Sequence, residues 1–93
     1  AGVLYGITVT NVNADERYLK VFNAVAAPVC GTDVPVLTIL IPGNTAGSGH
    51  TPNLPVNGVN FATGLGICMT TGVADTNNTN VAADEVVAHL FYK

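Results

Sequence analysis

The chain has 93 residues, which suits one domain with one core, and 48% of them are hydrophobic. Only 10% are charged, the formal net charge is −3, and Arg17, Lys20 and Lys93 are its only Lys or Arg residues; a nucleic-acid-binding surface, which needs several such cations on one face, is excluded. No apolar run of about eighteen residues offers a helical membrane span, and no basic segment followed by an apolar one marks a signal peptide at the start.

Val3 to Val12, VLYGITVTNV, alternates Val3, Tyr5, Ile7 and Val9 with Leu4, Gly6, Thr8 and Thr10, and this period of two predicts a strand. Asn11 to Glu16 is a polar turn. Arg17 to Ala24 is a second strand with Leu19 and Val21 on one face and Tyr18, Lys20 and Phe22 on the other; if the two strands pair, Tyr5 and Phe22 become cross-strand neighbours. A connection holding Pro28, Gly31 and Asp33 delivers the chain into Val36 to Ile41, which Pro42 and Gly43 stop. That run is apolar on both faces apart from Thr38, the pattern of a central strand between two layers, and it places Leu37 and Ile39 in the core.

Gly43 to Gly58, GNTAGSGHTPNLPVNG, carries no charge and is longer than an ordinary connection, so it reads as a functional or flexible loop. Its Asn44, Thr45, Ser48, His50, Thr51 and Asn53 are the candidate partner-contact residues. Val59 to Thr63 and Leu65 to Thr71 are two further strands around Gly64, and Val73 to Asn80 is a second polar loop. Ala82 to Leu90 has some helix propensity. Val86, Ala88, Leu90 and Tyr92 nevertheless alternate with Val87, His89, Phe91 and Lys93, which makes Glu85 to Tyr92 the last strand. The expected fold is all-β: one domain over residues 1–93, a β-sandwich or jelly-roll-like unit of about six to eight short antiparallel strands.

Chemistry-bearing residues are sparse. Cys30 falls in a turn and Cys68 in an apparent strand; they could pair, but one bridge in so apolar a chain is no disulfide scaffold, and the favoured reading is two reduced, mostly buried thiols acting as small hydrophobes. Asp15, Glu16, Asp33, Asp75, Asp84 and Glu85 are expected in structural roles; adjacent acids on a strand point to opposite faces, and Asp33 fits a turn. His50 and His89 lack neighbours at metal-ligand spacing, so no metal and no cofactor is expected. Ser48, the only serine, lies in GSGH, which lacks the spacing and the following helix of a nucleophile elbow. Gly64, Gly66 and Gly72 do not form a phosphate-binding fingerprint. The sequence therefore predicts no enzyme. Its low charge predicts that surface left over after folding is buried against other subunits, identical copies included.

Several blocks, in order, carry a likeness: LYGITVT followed by Ala14 and RYLK, then APVCGTDVPVLTILIP, then Gly58 with NFATGLGICMTTGVAD, and last AADEVVAHLFYK. This arrangement resembles a group of small virion proteins of tailed bacteriophages, over roughly Leu4 to Lys93. The resemblance implies a structural role and transfers no active-site residue. It implies a virion location after synthesis in the host cytoplasm, and a capsid decoration or cement protein that binds the major capsid protein as a homo-oligomer, most simply a trimer at three-fold positions. The alternative it implies is a receptor- or glycan-binding domain of a tail or head fibre. Tyr5, Tyr18 and Tyr92 belong to strands and Trp is absent, which counts against a sugar site.

Overall fold

Alternating apolar and small polar residues fold into two facing antiparallel sheets. The computed structural model describes residues 2–45, 47–82 and 85–93. Among them are seven strands and no helix: β1 (Gly2–Asn11), β2 (Arg17–Asn23), β3 (Leu37–Ile41), β4 (Ser48–His50), β5 (Val59–Phe61), β6 (Leu65–Thr70) and β7 (Val86–Tyr92). The all-β expectation holds, and the ambiguous tail is a strand. Asp84 lies outside the described residues.

Sheet A is built on β1, which pairs β7 along one edge and β5 and β4 along the other. Gly2–Leu4 meets β5 and Val9–Asn11 meets β4. These two short strands are the ends of one interrupted edge strand. Between them, residues 51–58 leave the ladder, as Pro52 and Pro55 lack the N–H that pairing needs. Leu54 turns from this excursion against the core. The uniform loop expected over Gly43 to Gly58 is thus interrupted by the three-residue strand β4.

Sheet B has the order β3-β2-β6. The central strand is β2 and β3 lies at an edge, which corrects the central placement expected of Val36 to Ile41. The outward-facing Val36 and Leu40 are about half exposed, and Leu37 and Ile39 face inward but are only half-buried. Ile41 is the fully buried member of that strand. Tyr5 and Phe22 lie in different sheets, so the expected cross-strand pair does not form.

The core between the sheets consists of Leu4, Ile7, Val9, Leu19, Val21, Ile41 and Phe61. Each such side chain contributes about 1.5–3 kcal/mol on full burial. The run Leu4, Ile7, Val9 breaks the expected phase of β1, because the register against β7 shifts between Leu4 and Gly6. This β-bulge at Tyr5 turns Leu4 inward before the shift and Ile7, Val9 and Asn11 inward after it.

A second buried region lies on the outer side of sheet B. Lys20, Phe22, Cys68 and Thr70 point away from the core yet are buried. Cys30 and Cys68 are bridged, with Cα atoms 6.2 Å apart, which corrects the expectation of two free thiols. The pairing is open in the sequence, and the apolar composition weighs against it. The connection 24–36 folds back over β6, where Pro28 lies against Gly66; a Cβ at Gly66 would come within 2.7 Å of the Pro28 ring.

Candidate functional site

Two surfaces are candidate sites: the outer face of sheet A with its β4 edge, and a cleft lined from β1, β5, β6 and β7. None of the four strands of sheet A contains an Asp, Glu, Lys or Arg. Its outer face presents Thr8, Thr10, Gly49, Val87, His89 and Phe91, set side by side by the β1–β7 and β1–β4 registers. The Phe91 ring lies over Gly6, and both Val87 and Phe91 remain about half exposed. Tyr5, pushed out by the bulge, is also half exposed, with the Lys93 ammonium 5.8 Å above its ring.

The six expected contact residues divide into two groups. Asn44, Thr45, Thr51 and Asn53 are exposed beside β4. Ser48 and His50 are not loop residues: they pair with Asn11 and Val9 in β4, share the inward face of those partners, and are half-buried. They stand two positions apart on the same edge of the sandwich, so their contribution to a contact is through that edge.

The cleft has a volume of about 180 Å³ and is lined by Gly2, Leu4, Phe61, Leu65 and Tyr92. Leu4 and Phe61 form its buried floor, and Tyr92 stands at its rim, 59% exposed. The strand placement expected of Tyr5 and Tyr92 is right, but neither is committed to the interior. Apart from the Tyr92 hydroxyl, the side chains of the lining carry no acid, base or nucleophile.

The polar residues that sequence reasoning passed over form the corner where β1 crosses to β2. Asn11 is completely buried; its Nδ2 donates to the Asp15 carbonyl at 3.0 Å and the Pro42 carbonyl at 3.3 Å, and its Oδ1 accepts from the Asn13 N–H at 2.8 Å. Arg17 Nε donates to Glu85 Oε1 at 3.0 Å, and Glu85 Oε2 accepts from the Ala82 N–H at 2.6 Å. The sequence showed Asn11 as an ordinary turn residue and Glu85 as half of an acidic pair, and neither pattern signals this pin. Asp33 does take its expected turn role: its Oδ2 accepts from the Val29 N–H at 2.9 Å. Each polar partner here is spent on holding chain crossings, which is a structural use. Among the described residues, no three His, Cys, Asp or Glu side chains gather as a metal site would.

Compared with known proteins, the chain matches no family model, no curated protein and no solved structure.

Proposed function

We propose that the chain is a virion structural protein of a tailed bacteriophage, a cement protein that docks on the outer surface of the head shell and bridges neighbouring copies of the major capsid protein. The observation that carries this reading is the charge-free sheet A with its bare outer face. A flat surface of Thr, Gly, Val and Phe loses little hydration on docking, because no ion has to be stripped of water. A rigid sandwich behind it transmits load between the subunits it touches. Asn44, Thr45, Thr51 and Asn53, with the β4 edge that holds Ser48 and His50, extend this surface and form the rim of the contact. Copies of the chain associate on the shell as a homo-oligomer. The reading assigns no catalysis and no cofactor.

A second reading, a receptor- or glycan-binding domain of a fibre, gains support from the exposed Tyr5 and Tyr92 rings, since sugars stack on exposed aromatics. Mixing the purified protein with head shells that lack it separates the two. Co-sedimentation in many copies per head, with slower heat release of coat protein, is the expected result. Protein that ignores shells but is retained on host-surface glycans, and loses that retention on Tyr92→Ala, replaces the first reading with the second.

A further inference from the structure

We propose that the Cys30–Cys68 bond is a redox latch that keeps Lys20 sealed beneath two loops. The ammonium of Lys20 is buried, at 1% exposure, on the outer side of β2. It donates to two backbone carbonyls of the loop over residues 71–80, Ala74 at 2.6 Å and Asn77 at 3.3 Å, and the ion pair among the described residues belongs to Arg17 and Glu85 instead. Carbonyl dipoles offset only part of the cost of taking a cation out of water. Water therefore competes for Lys20, and the closed state needs a restraint.

The restraint runs through the other loop. Cys30 ties the connection 24–36 to β6, and Gly31 follows it with φ of 90°. Gly31 sits against the second loop so closely that a Cβ there would lie 2.9 Å from Asn78 Cβ and 3.0 Å from the Thr76 carbonyl oxygen. The bond holds the first loop, the first loop buttresses the second, and the second caps Lys20.

A small dithiol is the reductant. Its thiolate attacks the sulfur of Cys30, which is the more exposed of the two cysteines; the S–S bond breaks, and Cys68 leaves as a thiolate and takes a proton. The second thiol of the reagent then displaces Cys30, so that two protein thiols and one cyclic disulfide result and two electrons have passed to the protein. The proposal concerns the isolated chain and stands without the shell reading. On that reading, a protein made in a reducing cytoplasm closes the latch after release.

The test is acylation of lysine by a water-soluble active ester, read by mass spectrometry at Lys20 and at exposed Lys93, with and without the dithiol. Reduction is expected to speed Lys20 modification by about tenfold or more, leave Lys93 unchanged and preserve the far-UV β signal; reoxidation restores protection. Gly31→Val, with the bond intact, is expected to raise Lys20 modification without any reductant. The proposal is overturned if Lys20 stays protected after alkylation proves both thiols free. It is equally overturned if reduction abolishes the β signal, since the bond is then a staple of the whole sandwich, or if Gly31→Val leaves Lys20 as slow as before.

Discussion

The two outer faces of the sandwich are treated in opposite ways. Sheet A leaves its outer face to solvent and builds it from Thr8, Thr10, Val87, His89 and Phe91. Sheet B roofs the β2–β6 half of its outer face with two loops and buries Lys20, Phe22, Cys68 and Thr70 under them. A chain this short has little core to spare. The roof gives it a second buried layer without a third sheet, and sheet A keeps an outer face whose strands contain no Asp, Glu, Lys or Arg. Burial outside the core is thereby concentrated on one side of the molecule, and on the proposed function the contact lies on the other.

Phenylalanine truncation breaks this comparison most sharply. Phe22 is buried beneath the roof at 2% exposure, whereas Phe91 on the opposite face is 46% exposed. Phe22→Ala is expected to cost about 3–5 kcal/mol, and Phe91→Ala about 1 kcal/mol or less. Urea unfolding of both variants at unchanged m value reads the difference. Equal losses would show that the loops do not bury the outer side of β2.

Next in size is the bridge. Cys30→Ser frees a closed segment with a sequence separation of 38 residues, and loss of a loop of that order is expected to cost about 2–4 kcal/mol relative to the oxidised native chain. The native chain is expected to lose the same amount on reduction and the variant nothing. A variant as stable as the oxidised native chain would leave the roof with no need of its tether. Lys20→Met comes third. It removes the ammonium, whose desolvation is unfavourable, but strands the carbonyls of Ala74 and Asn77; leaving such acceptors unpaired is expected to cost about 1–3 kcal/mol, together with faster amide exchange in residues 71–80. A gain in stability would mean that the roof closes better without a cation beneath it.

The contrast between the faces also explains what could be read in the sequence. Period-two alternation located β1, β2 and β7, and apolar runs punctuated by Gly and Pro located β3, β5 and β6, each to within a residue or two, because both signals are local. The phase of β1 was lost at Tyr5, since a bulge leaves the alternating pattern looking continuous while it turns the side chains over. The roof was not legible for a different reason. Lys20 and Phe22 look like an ordinary outer face until residues far along the chain cover them, and Cys30 meets Cys68 only through that same long-range folding. The doubly apolar Val36 to Ile41 suggested a central strand, yet the strand buried on both faces is β2, which carries a lysine. Of the candidate contact residues, Asn44, Thr45, Thr51 and Asn53 were legible as exposed because turn residues without a hydrophobic period stay at the surface; the strand placement of Ser48 and His50 was not legible because a three-residue strand is too short to show a period.

The smallest effect on stability is expected where the effect on docking is largest. Thr10 is exposed on the outer face of sheet A, between Val87 of β7 and Gly49 of β4. Thr10→Lys touches nothing buried, so the stability change is expected to stay within about 0.5 kcal/mol. The new ammonium would stand among strand residues that include no Asp, Glu, Lys or Arg, away from Lys93 at the Tyr5 end of the sheet. Docking this face against a shell would then require stripping a cation of its water without a partner, a penalty that an exposed position in the free protein does not carry. Loss of co-sedimentation with shells, at unchanged unfolding midpoint, is the expected outcome. Thr51→Lys, at the rim beside β4, is expected to weaken binding less, because a rim charge keeps most of its water. Undiminished binding by Thr10→Lys with complete loss in Thr51→Lys would move the contact from the face of sheet A to its β4 edge.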